Sequence, residues 1–240
     1  MVVSEGVISL FKVLPYGDGA LHVQFQEVIS EEGFEKVQNF FNNMISIQDE
    51  RILELIPTYH SVTVFYRHGS SYFEMLNLVE EVHRRSTEIE MDTSRPAHLR
   101  KVEIPVCYGG EFGPDLKHVA DYHKLTVEEV IARHTASEYL VYMIGFMPGF
   151  PYMGGLDPEL ATPRLISPRA LVPQGSVGIA GQQTGLYPLA SPGGWQLIGR
   201  TPLSLFDANY NPPTTLCSGD RVRFMPISRK DYFELEGKRS

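Results

Sequence analysis

Cysteine and tryptophan are scarce in this sequence of 240 residues, with two of the first and one of the second. Cys107 and Cys217 are too few for a disulfide scaffold and lack CxxC spacing, so neither a cystine-stapled fold nor a thiolate metal site is expected. No run of about 18 apolar residues occurs, which argues against a membrane span. The stretch from Met1 to Leu14 has no basic n-region and carries Glu5 and Lys12, so a secretory signal is not expected and the chain reads as cytoplasmic. No Lys/Arg block is present to neutralise a phosphate backbone, which sets nucleic acid aside as a partner. The phosphate-loop pattern GxxxxGK[ST] and the nucleophile pattern GxSxG are both missing. His118 and His123 stand five apart, on different faces of a helix, and make poor joint metal ligands. No metal site is expected.

The residues that are present divide the chain in two. Residues 1–96 hold fifteen acids against seven bases, whereas residues 97–240 hold fourteen of each. Twelve of the 17 prolines and 13 of the 21 glycines lie after residue 144, so the second half is built from short, turn-punctuated pieces. In the first half Leu21, Val23 and Phe25 alternate with polar residues as a half-buried strand, and Val7 to Leu14 is its expected partner. Ser30 offers an N-cap, with Glu31 and Glu32 in the first turn of a helix carrying Phe34, Val37, Phe41, Met44 and Ile45. Two more strands, Ile52–Ile56 and Val62–Tyr66, precede a second helix opened by Ser70 or Ser71. This order predicts an α+β domain with a small antiparallel sheet and two helices on one face. A polar linker is expected over Glu88–Pro96, with the domains as 1–92 and 93–240. After it come a strand at Val102–Val106, a short helix over Asp115–His123 and a capping box at Thr126–Glu129. Short apolar runs at 140–144, 176–180, 195–198 and 221–225 then predict an all-β sandwich or barrel.

The segment 145–202 is dense in glycine, proline and aromatics, and its basic residues are all arginines: Arg164, Arg169 and Arg200. Arginine presents a fixed fork that suits carboxylate or phosphate. Gln182, Gln183 and Thr184 supply neutral donors and acceptors nearby, while Phe146, Phe150, Tyr152 and Trp195 can wall a pocket. One reading is a rigid site for a small anionic or amide-bearing ligand. In the other, the arginines pair with Asp157, Glu159 and Asp207, and the aromatics fill a barrel. His134 is open to two readings as well, an acid/base group or a helix C-terminal histidine favoured by the dipole.

Four motifs carry a family resemblance: Gly145-Phe-x-Pro-Gly-Phe-x-Tyr152, the Pro-Arg pairs at 163–164 and 168–169, Gly175-Ser-Val-Gly-Ile-Ala-Gly-x-Gln-Thr-Gly185, and Ser191-Pro-Gly-Gly-Trp-x-x-Ile-Gly-Arg-Thr-Pro202. Together they closely resemble the B subunit of the bacterial ATP-dependent 5-oxoprolinase, also called allophanate hydrolase subunit 1, with the Kip-type sporulation-kinase inhibitors nearest in length and register. The resemblance implies an α+β domain followed by a cyclophilin-like β-barrel, for which prolyl isomerisation does not follow from shape alone. It also implies work with subunits A and C, which open 5-oxoproline to L-glutamate with ATP as co-substrate; the ATP site is left open between this chain, which has no recognisable nucleotide loop, and a partner subunit. On that footing Arg164, Arg169 or Arg200 would clamp carboxylate or phosphoryl oxygens and His134 would shuttle a proton. Gln182, Gln183 and Thr184 would meet the amide, and Phe150, Tyr152 and Trp195 the ring. The resemblance also implies that the same chain inhibits autophosphorylation of a sensor histidine kinase, and the alternative is a dedicated kinase inhibitor, a binding module without a catalytic role. A homodimer through the N-terminal sheet edge is compatible with either and has no motif behind it.

Overall fold

The computed structural model describes residues 11–90 and 100–238, except for the side chains of 86–90. The expected boundary at 92/93, most of the expected linker and residues 7–10 of the first expected strand lie outside these residues. The chain divides into two compact units, Met1–Ala97 and His98–Ser240.

In the first unit, strands β1 (Lys12–Pro15), β2 (Ala20–Gln24), β3 (Ile52–Pro57) and β4 (Ser61–Tyr66) form an antiparallel sheet in the order β1-β2-β4-β3. Alternation puts Leu21 and Val23 of β2 opposite Val64 and Val62 of β4 on one face. Helices α1 (Glu31–Ser46) and α2 (Tyr72–Glu90) cover that face, burying Val37, Phe40 and Met44 from one and Met75, Val79 and Val82 from the other. The Ser30 hydroxyl accepts from the Gly33 amide at 3.0 Å, which starts α1 where the sequence predicts.

The second unit contains a closed barrel in the order β10-β7-β6-β13-β5-β12-β9. Its strands are β5 (Lys101–Tyr108), β6 (Tyr139–Ile144), β7 (Pro151–Gly154), β9 (Ser176–Ala180), β10 (Gln183–Leu186), β12 (Gln196–Arg200) and β13 (Arg221–Pro226). A two-stranded ribbon, β8 (Arg169–Val172) with β11 (Ser191–Gly193), stands apart from the barrel sheet. All barrel pairs are antiparallel except β13 with β5. Helix α3 (Leu116–His123) and helix α4 (Val127–Ala136), the latter opened by the expected Thr126/Glu129 capping box, contribute Leu116, Val119 and Val130 to the core with Ile104, Val106, Val177, Ile179, Ile198 and Phe224. A further helix, α5 (Arg229–Gly237), was not foreseen and buries Tyr232 against Phe112 and Cys107. The α+β unit and the β-barrel unit are therefore both present.

Neighbouring strand residues face opposite sides of the barrel wall. On β12, Ile198 joins the barrel interior, whereas Leu197 joins a second apolar cluster with Phe150, Val172, Ala180, Tyr187 and Trp195. That outer cluster forms the base of the site.

Candidate functional site

A cavity of about 120 Å³ opens over the outer cluster, lined by Phe146, Phe150, Tyr152, Arg164, Tyr187, Trp195 and the backbone at Gly193–Gly194. Its walls are rings set edge to face. Phe150 meets Trp195 at 5.6 Å and 86°, and Tyr187 at 5.4 Å and 83°. Such perpendicular contacts hold each ring at a fixed angle. Two glycines permit the arrangement. A Cβ on Gly185 would lie 2.8 Å from the Trp195 ring, and one on Gly193 would lie 2.5 Å from the Tyr187 hydroxyl oxygen. Phe146, at φ +65°, holds the left-handed conformation that non-glycine residues rarely adopt, a cost commonly met at ligand sites.

Arg164 is the charged member. Its guanidinium carbon sits 5.8 Å from the Trp195 ring centroid, and it makes no hydrogen bond or ion pair among the described residues. Burial raises the phenol pKa of Tyr152 and of Tyr187, and the Arg164 charge opposes both shifts. The cavity therefore offers an uncommitted planar cation, neutral phenols and aromatic faces. An apolar cavity of roughly 150 Å³ binds benzene, so this one, comparable in size and lined by rings and one cation, suits a small ring carrying an anionic group.

The structure does not bring Arg169, Arg200 or His134 to the lining of this cavity. Arg169 is committed to Asp115, with Nη2 at 2.6 and 2.8 Å from its two carboxylate oxygens, and its Nη1 donates to the Trp195 carbonyl at 3.3 Å. Arg200 lies by the Phe112 ring and donates to the Glu111 carbonyl, away from the cavity lining. His134, in the last turn of α4, is fully buried against the barrel. Its Nδ1 is 2.8 Å from the Tyr108 hydroxyl and its Nε2 is 3.0 Å from the Thr184 hydroxyl, with Phe224 stacked at 4.6 Å. Thr184 donates onward to the Gly178 carbonyl, which makes it the acceptor of the His134 Nε2–H and makes Tyr108 the donor to Nδ1. Burial lowers the His134 pKa to about 3, so the ring is neutral and sealed rather than free to shuttle a proton. Gln182 is exposed at the β9–β10 turn, and Gln183 begins β10.

The alternative pairing is also revised, because Asp157 and Glu159 bind Arg133 instead of the three arginines. Tyr187, Gly193 and Gly194 were missed as lining residues, although they lie within or beside the family motifs. Among the described residues no group of three or more His, Cys, Asp or Glu could hold a metal, and no helix is long and apolar enough to cross a membrane.

Comparison with known proteins places this geometry in a family. Residues 11–216 match the model of the carboxyltransferase domain, subdomain C and D. The chain is 47% identical to the 5-oxoprolinase B subunit of Bacillus subtilis (strain 168) over 236 residues, covering 92% of this chain and 95% of that protein. It is 43% identical to the conserved uncharacterized protein PH0987 of Pyrococcus horikoshii, whose crystal structure superposes with a TM-score of 0.55 over 92% of this chain and all of that one. The K. lactis urea amidolyase, at 20% identity and a TM-score of 0.76, shares the fold over 98% of this chain and 16% of its own. With an identity that high over nearly the full length of both chains, the protein belongs to the family of 5-oxoprolinase B subunits, within the carboxyltransferase subdomain C and D group.

Proposed function

We propose that this chain is the B subunit of an ATP-dependent 5-oxoprolinase, a hydrolase assembled with subunits A and C, and that the Arg164 cavity receives 5-oxoproline. The observation that carries the reading is the unpaired Arg164 guanidinium over Trp195 at a ring-sized aromatic cavity. A five-membered lactam would lie against the indole and phenol faces while its carboxylate meets the guanidinium fork. The lactam carbonyl is a poor electrophile, which is where ATP enters, bound on a partner subunit. Transfer of the γ-phosphoryl group to the lactam oxygen releases ADP. Water then adds at the activated carbon, the ring C–N bond breaks to leave the amine, and a second water hydrolyses the acyl phosphate to glutamate and phosphate. In this scheme Arg164 binds and orients the substrate, and the ring walls exclude bulk water from it.

The test is glutamate release by the three purified subunits, with and without this chain and with Arg164→Ala. Turnover is expected to vanish on omission. Arg164→Ala is expected to lower kcat/KM roughly tenfold to a hundredfold, through KM, as loss of a charged hydrogen bond does. Undiminished turnover without the chain would refute the reading and favour the histidine-kinase inhibitor implied by the resemblance.

A further inference from the structure

Arg164 stands on a stretch without regular secondary structure, so something must hold its backbone in place. Two contacts bracket it. The Leu165 amide donates to the Gly194 carbonyl at 2.7 Å, and the Gln196 side-chain Nε2 donates to the Pro163 carbonyl at 2.8 Å. Gln196 opens β12, one residue after Trp195, and is only 3% exposed. Among the described residues it is the sole side chain that hydrogen-bonds the 163–165 backbone. The identity of its two ends is not arbitrary, because a carbonyl can only accept and the amide must present its NH2 group to Pro163. The opposite end, Oε1, is buried without a partner. An orphaned acceptor is costly, and methionine or leucine would fill the same space without it. What glutamine adds over those residues is the donor to Pro163.

We infer that Gln196 is a positioning residue: it fixes Arg164 over Trp195 and so gives the cavity its preference for rings that carry a carboxylate. This rests on the reading of the cavity as the 5-oxoproline site. The Gln196 side chain does not line the cavity and hydrogen-bonds only the Pro163 carbonyl, so its replacement by an apolar side chain weakens the carboxylate contact and leaves the ring contacts in place.

The experiment uses the assembled three-subunit complex and two ligands. One is 5-oxoproline, read as KM. The other is 2-pyrrolidinone, the same lactam without the carboxylate, read as a competitive Ki. Gln196→Met is expected to raise KM roughly five- to tenfold while Ki for 2-pyrrolidinone stays within about twofold. In an Arg164→Ala background Gln196→Met is expected to add no further rise, since both act on one contact. Gln196→Leu, of similar volume and with no donor, repeats the measurement if the methionine variant is poorly folded. A normal KM in both variants, an equal rise in KM and Ki, or the full factor persisting in the Arg164→Ala background would overturn the inference. A normal KM in Arg164→Ala alone would instead remove the cavity reading beneath it.

Discussion

Acidification should weaken the barrel through one residue, His134. Its imidazole has no solvent-exposed surface, and both nitrogens are engaged by Tyr108 and Thr184 in the neutral tautomer. A proton added to Nδ1 would remove the acceptor that the Tyr108 hydroxyl donates to and bury an uncompensated charge. The folded-state pKa is about 3, against an ordinary value of 6.5. The unfolded chain therefore binds the proton first as pH falls, and stability is lost through the window between those values. The group's contribution is nearly intact at about pH 7.5, and by about pH 5 roughly 2 kcal/mol has gone, one pKa unit being worth about 1.4 kcal/mol. For a chain of this size that corresponds to about 4–8 °C in Tm. Thermal unfolding of the wild type and of His134→Gln at both pH values isolates the effect, because the other titrating groups are shared. The variant is expected to be less stable at neutral pH and to lack this pH-dependent share. Equal pH dependence in the two proteins would refute the reasoning and return His134 to the groups that titrate in the native state.

Two further expectations concern the cavity and its support. Gly185→Ala drives a methyl into Trp195 and Phe150, so a loss of about 1–3 kcal/mol is expected together with an altered emission from Trp195, the sole tryptophan; unchanged emission and stability would contradict the packing described. Asp115→Ala removes the carboxylate that accepts from both Arg169 and the Leu197 amide. It is expected to cost about 2–4 kcal/mol in urea unfolding, with Arg169→Ala adding little to it; additive losses would show that the two residues act separately.

The local chemistry of the first unit was legible because its determinants are neighbours in sequence. Ser30 caps the helix it precedes, and the alternation at 21–25 and 62–66 names the buried face directly. The barrel was legible only as a set of short strands, since the pairing of β5 with β13 joins residues 120 apart, as at Lys101 and Arg221. Helix α5 escaped notice because its buried side is reduced to Tyr232. The site was half legible. Aromatic and arginine content singled out the segment that lines the cavity, but Arg164, Arg169 and Arg200 look alike in a sequence. What separates them is Asp115, which lies 54 residues before Arg169 and claims it. The burial of His134 is hidden in the sequence for the same reason: its partners Tyr108 and Thr184 come from strands on either side of it in sequence, and only their convergence seals it.

The parallel seam between β5 and β13 also sets a timetable for synthesis. The strand that enters the barrel first is paired with the one translated last, and Arg100 locks the seam through Asp220 at 2.8 Å. Until β13 leaves the ribosome, β5 and β6 must present open edges, the kind of surface that invites pairing with other chains. Closure is thus a late, long-range event, and the nascent barrel spends most of its translation dependent on protection that the finished one does not need.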